Sequence, residues 1–163
     1  MTSPACYIFV SEEVIKSMTQ LNDQAVIHSA GDGLFVAITP SGHAQVLETN
    51  SERASAATPM ELLLIALGGC TAVDVISILR KKREHVTDYR VEVRGERRDE
   101  LPRKFMRMEV RHIVRGRNVS ARAVEQAVEL SETKYCSVAA TLSPGVEIVT
   151  IIEVLEDDQP GQN

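Results

Sequence analysis

The 163-residue chain has no tryptophan and only three phenylalanines and three tyrosines. So few rings leave little material for a platform on which nucleic-acid bases stack. Cysteine is scarce as well: three residues, no CxxC among them, and no HExxH anywhere. That number and spacing exclude a secreted disulfide scaffold and do not match a zinc site, so neither a metal nor a cofactor is expected. The short apolar run at residues 5–10 has no basic region before it, which argues against a signal peptide. No arginine precedes Arg53. Together these absences point to a cytoplasmic protein with reducible thiols.

The rest of the composition is ordinary. Hydrophobic residues make up 44% and charged residues 25%, globular values, and the length suffices for one domain with a sizeable core. The net charge of −5 hides an asymmetry, because 15 of the 18 basic residues lie between Arg80 and Arg122, against seven acidic ones. A basic block can attract nucleic acid. Here, however, the charges alternate with apolar residues, the pattern of a solvated sheet face, and no nucleic-acid partner is expected.

Residues 1–23 read as an N-terminal extension with a short helix after Ser11, residues 24–155 as the domain, and 156–163 as a loose tail. Strands are predicted near 24–29, 33–39 and 43–48, separated by Gly31-Asp32-Gly33 and Pro40-Ser41-Gly42, which supply tight turns. Strict alternation predicts further strands over 89–94 and 106–115, the latter with Met106, Met108, Val110, His112 and Val114 inward. A helix capped by Ser120 would place Val124, Ala127, Val128, Ser131 and Tyr135 on one face. A helical turn at 138–142 is then broken by Pro144-Gly145, before a last strand over 146–155.

The long helix has the clearest start. Thr58-Pro59-Met60-Glu61 fits a capping box, with proline at the first helical position, and the helix is predicted to run to about Arg83, where basic residues complement its dipole. Residues 62–79 contain a single charge, Asp74. A helix apolar all round must be buried all round or lie in lipid. Asp74, the Gly68-Gly69 pair and the flanking alternating strands favour a soluble protein, with no membrane partner. One modest sheet covers one side of such a helix, so a second copy of the chain is the simplest cover for the other.

Two thiols draw attention within this frame. Cys70 lies in the apolar helix and Cys136 66 residues later, at the junction of two helical segments. A thiol among leucines is usually an inert packing residue, and Cys70 reads either that way or as half of a redox pair. Asp74, four residues on, shares its helical face. Cys136 sits where free N–H groups could stabilise a thiolate. Glu61 has a structural role as the third residue of the capping box, His112 reads as a core histidine, and Cys6 as incidental.

The stretch 59–71, Pro-Met-Glu-Leu-Leu-Leu-Ile-Ala-Leu-Gly-Gly-Cys-Thr, with Lys134-Tyr135-Cys136 downstream, resembles the OsmC/Ohr family of osmotically inducible and organic-hydroperoxide-resistance proteins, in its YhfA-like branch. The resemblance covers about residues 24–155. It implies an α+β fold in which antiparallel sheets wrap around long central helices in an intertwined homodimer. It also implies thiol peroxidase chemistry: Cys70 as the thiolate that attacks an organic hydroperoxide, Cys136 as the thiol that resolves the sulfenic acid into a disulfide, and an external dithiol as reductant. The chain departs from the peroxidase pattern twice. Met60 stands where those members carry glutamate, with Glu61 one place later, and their N-terminal arginine is missing, leaving Arg53 or a second chain to supply a cation. The alternative expectation is a non-catalytic dimer that binds a small apolar ligand or senses redox state.

Overall fold

In the structure, a computed structural model, residues 24–49 and 52–157 are described. The expected extension 1–23, with Cys6, and residues 158–163 of the expected tail lie outside them. The chain clusters into two compact units, divided between Pro59 and Met60.

The first unit is an antiparallel sheet of β1 (Val26–Gly31), β2 (Leu34–Ile38) and β3 (Ala44–Glu48), in that order. The turn between β1 and β2 places Gly31, Asp32 and Gly33 all at positive φ, a conformation that glycine and aspartate tolerate best. Val26, Ile27, Ile38 and Val46 are exposed on this sheet. Glu48, by contrast, is buried, and its carboxylate accepts hydrogen bonds from the Ser55 hydroxyl and backbone N–H and pairs with Arg53. Those Ser55 bonds, with Arg53 beside them, outweigh burial and hold the Glu48 carboxyl down at about 2.

The second unit packs α1 (Pro59–Lys81) on a sheet of β4 (His85–Arg97), β5 (Phe105–Arg117) and β6 (Glu147–Glu156), in that order. β4 and β5 form a long antiparallel hairpin, while β6 returns parallel to β5 after α2 (Ala121–Leu130), a π-helical turn (Ser131–Tyr135) and α3 (Ser137–Leu142). The parallel return follows from those helices, which form the crossover that a parallel pairing needs. Arg90–Glu92, Arg107–Glu147 and Arg111–Glu153 form ion pairs on the charged face that the alternation predicted.

Helix α1 starts where proline predicted and stops two residues earlier than expected. Leu67, Thr71, Val75 and Leu79, spaced four apart, form its one buried line. Burying a side chain such as Leu67 or Leu79 contributes roughly 1.5–3 kcal/mol each. On the other side Ile65 is 61% and Val73 68% exposed, so the described residues of this unit leave it uncovered. By length and composition α1 would suffice to cross a membrane, although its buried line is committed to the sheet. Gly68 belongs to the packed side, since a Cβ there would come within 2.9 Å of Val93, whereas a Cβ on Gly69 would meet open space.

Two details differ from expectation. Met106 is exposed, because a register shift beside Arg97 puts Phe105 in the core instead, so the inward set is Phe105, Met108, Val110, His112 and Val114. Tyr135 is also exposed, because the π-helical turn adds a residue and rotates it off the face that Val124, Ala127, Val128 and Ser131 share.

Candidate functional site

The site is assembled by α1 and by the segment after α2. Ser120 caps α2 as predicted, its hydroxyl accepting from the Ala123 N–H at 3.3 Å, worth about 1 kcal/mol for such a cap. The amphipathic helix then buries Val124, Ala127 and Val128 against Val75 and Leu79. At Ser131 it widens, and the Cys136 N–H bonds back to the Ser131 carbonyl at 2.8 Å. This widened turn delivers Cys136 beside α1 as the N-cap of α3.

The two thiols meet there. Cys70 Sγ, a carboxylate oxygen of Asp74 and Cys136 Sγ all lie within 4.8 Å of one another. Both thiols are free, Cys70 half-buried and Cys136 buried. Cys136 Sγ accepts the Ala139 N–H at 3.4 Å. That contact favours a thiolate, as the sequence led us to expect, but burial outweighs it and pushes the Cys136 thiol up to about 11. Both cysteines belong to an apolar cluster built on Leu67, Phe105, Met108 and Val110.

Asp74 is held by a relay that the sequence did not reveal. The Ser131 hydroxyl donates to Asp74 Oδ2 at 3.0 Å, and Thr71 Oγ1 lies 3.1 Å from Ser131 Oγ. A hydroxyl has one hydrogen, so with Ser131 spent on the carboxylate Thr71 must donate to Ser131. Ser131 and Thr71 are both buried. The available signal was a serine on the apolar face of α2 and a threonine three residues before Asp74, the only charge among residues 62–79.

Deeper in the unit, Tyr89 and His112 stack with ring centroids 6.1 Å apart, and the tyrosine hydroxyl lies 2.8 Å from His112 Nδ1. Burial, with Asp74 nearby, raises the Tyr89 pKa, so the phenol keeps its proton. His112 is a core residue, as predicted, but incompletely satisfied: its Nε2 is buried with no hydrogen-bond partner among the described residues. Burial lowers its pKa to about 4. Arg53, the candidate substitute cation, is engaged by Glu48 and by the Asp32 carbonyl.

The sequence pattern of the family described as OsmC-like protein matches residues 51–151. The chain belongs to the OsmC-like family. Protein YhfA of Escherichia coli (strain K12) is 45% identical over 121 residues, spanning 74% of this chain and 90% of that protein. A hypothetical protein from Aquifex aeolicus VF5 superimposes with a TM-score of 0.74 at 32% identity, covering 83% of this chain and 98% of that one. An OsmC-like protein from Mycoplasma pneumoniae shares the fold alone, with a TM-score of 0.72 at 14% identity over 82% and 96% of the two chains. The α+β fold, with its antiparallel pairings and central helices, is thus the OsmC-like fold.

Proposed function

We propose that the protein is a homodimeric, cytoplasmic, thiol-dependent peroxidase that reduces organic hydroperoxides through Cys70 and Cys136. The observation behind this reading is the meeting of two sulfurs, 66 residues apart in sequence, within 4.8 Å in an apolar setting.

The roles follow from their surroundings. Cys70 is the more accessible thiol, so it is assigned the attack. Its thiolate takes the terminal oxygen of the hydroperoxide, the O–O bond breaks, and the leaving alkoxide collects a proton to become an alcohol. Cys70 is then a sulfenic acid. Cys136, kept protonated by burial, attacks the sulfenic sulfur as its proton leaves with the hydroxyl as water, closing a disulfide. An external dithiol returns both sulfurs to thiols by exchange. Closing the disulfide brings the sulfurs from within 4.8 Å to bonding distance, about 2 Å. The apolar surroundings favour bulky organic hydroperoxides over hydrogen peroxide.

The homodimer rests on apolar surface left bare in each unit. On α1, Leu64, Ile65, Gly68, Gly69 and Ala72, with Val91 and Val93 of β4, line an open apolar groove of about 400 Å³. The first unit exposes Val26, Ile27, Ile38 and Val46. A second chain covering these surfaces gives the intertwined arrangement.

A second reading, a non-catalytic dimer that binds an apolar ligand or senses redox state, is favoured by one observation: none of the ion pairs among the described residues includes Asp74. An attacking thiolate calls for a positive group beside it, and those ion pairs bring none to Asp74. Cumene hydroperoxide consumption with dithiothreitol separates the two. The peroxidase reading expects wild type to turn over and Cys70→Ser to fall to the background rate; equal rates for the two proteins would sink it.

A further inference from the structure

The same cluster has a second chemistry that does not depend on peroxide. Cys70 Sγ, Asp74 and Cys136 Sγ present three donor atoms that all lie within 4.8 Å of one another. A tetrahedral zinc centre has Zn–S of about 2.3 Å and Zn–O of about 2.0–2.2 Å, which sets its donors about 3.5–3.8 Å apart. Closing the cluster onto a metal therefore asks for displacements of about 1 Å at most per donor, less than a disulfide requires. We propose that Cys70, Asp74 and Cys136 together bind one zinc ion per chain, with the fourth position left to water or another exogenous ligand.

Three features carry the assignment. The donor set is two sulfurs and one carboxylate, the mixture that borderline-soft zinc accepts and that magnesium or calcium do not. All three groups are anionic as ligands, and none of the ion pairs among the described residues neutralises Asp74. A divalent cation supplies the missing positive charge at the point where the three converge. Finally, the carboxylate is oriented from behind: Ser131 donates to Asp74 Oδ2, and Thr71 supports Ser131. That is the outer hydrogen-bonding arrangement that aims metal ligands. Spacing in the sequence gives no hint of it, because the donors come from two separate helical segments rather than from one short loop.

Zinc binding displaces one proton from each thiol and changes no oxidation state. The two sulfurs cannot hold zinc and form a disulfide at once, so the metal would protect the reduced pair and be released when the pair is oxidised.

Cobalt(II) serves as the spectroscopic probe. The reduced full-length chain, with Cys6→Ser so that only the two sulfurs of the cluster report, is titrated with cobalt chloride and then with zinc chloride. The proposal expects one cobalt per chain, thiolate-to-cobalt charge-transfer absorption with the visible bands of a four-coordinate centre, and displacement by zinc. Loss of an outer hydrogen bond typically weakens metal affinity about 10–100-fold, so loss of a direct ligand in Cys70→Ser or Cys136→Ser should exceed about 100-fold. Asp74→Asn should weaken binding by at least about 10-fold. Prior oxidation of the unsubstituted cysteine pair with diamide should abolish uptake, a control that does not depend on any cluster variant folding. No charge-transfer band in the reduced protein, or a band that persists after oxidation or in both cysteine variants, overturns the site. Uptake is read without peroxide, so its outcome is independent of whether the protein turns over hydroperoxides.

Discussion

His112 is fully buried beside Tyr89, its Nε2 has no hydrogen-bond partner among the described residues, and burial depresses its pKa to about 4. The folded state therefore holds the ring neutral, while an unfolded histidine with an ordinary pKa of about 6.5 takes up a proton as the pH falls. The unfolded chain binds the extra proton between those two values. Stability that is complete above about pH 6.5 is thus lost progressively toward about pH 4, by up to roughly 3 kcal/mol from this residue. Urea denaturation across that window should show the loss in wild type and a flatter profile in His112→Gln, whatever the variant's stability at neutral pH. Parallel profiles for the two proteins would show that His112 is not the group responsible. This residue was legible as core from its place on an alternating strand. Its missing partner was not, because nothing in the pattern of one strand says what the neighbouring elements bring to the second ring nitrogen.

At the scale of elements, the site depends on how the chain leaves α2. Periodicity located that helix and its Ser120 cap, and it put Cys70 inside a helix and Cys136 at the junction of two helical segments. It could not reveal the π-helical turn, since one extra residue per turn costs no change in composition. The turn takes Tyr135 out of the core and sets Ser131 where it joins Thr71 to Asp74. Removing the middle of that relay leaves a buried threonine hydroxyl and a carboxylate without their partner, a loss of about 1–3 kcal/mol for each such group that stays dry. Ser131→Ala should accordingly unfold at lower urea than wild type by an amount in that range, with an unchanged m-value. A midpoint equal to wild type would mean that water replaces the hydroxyl and that the relay adds no stability. The same reasoning explains the sheet: alternation marked the cores of β4 and β5, and the break at Pro144-Gly145 marked the start of β6, but the parallel return of β6 depends on the crossover helices, a property of topology rather than of any strand.

For the molecule as a whole, the decisive feature is an apolar helix that the described residues of its own unit cover on one side. The sequence argued for cover on every side of α1, and the second unit supplies it on the line of Leu67, Thr71, Val75 and Leu79 only. Ile65 and Val73 are left at 61% and 68% exposure. If a second chain covers them, a charge at either position should break the assembly. Sedimentation velocity should give a dimer for wild type and a monomer, or a strongly weakened dimer, for Ile65→Glu and Val73→Glu, while Val26→Thr in the first unit should have a smaller effect. Dimers that tolerate both glutamates would place the interface elsewhere.

The central claim, that Cys70 and Cys136 act as one redox pair, is tested most directly by the bond it requires. The reduced protein is treated with one equivalent of cumene hydroperoxide, quenched with an alkylating agent, digested without reductant and analysed by mass spectrometry. The account predicts a single disulfide-linked peptide pair containing Cys70 and Cys136, and its absence when either residue is serine. Oxidised protein in which Cys136 is recovered fully alkylated, or in which Cys70 pairs with Cys6 instead, would contradict it.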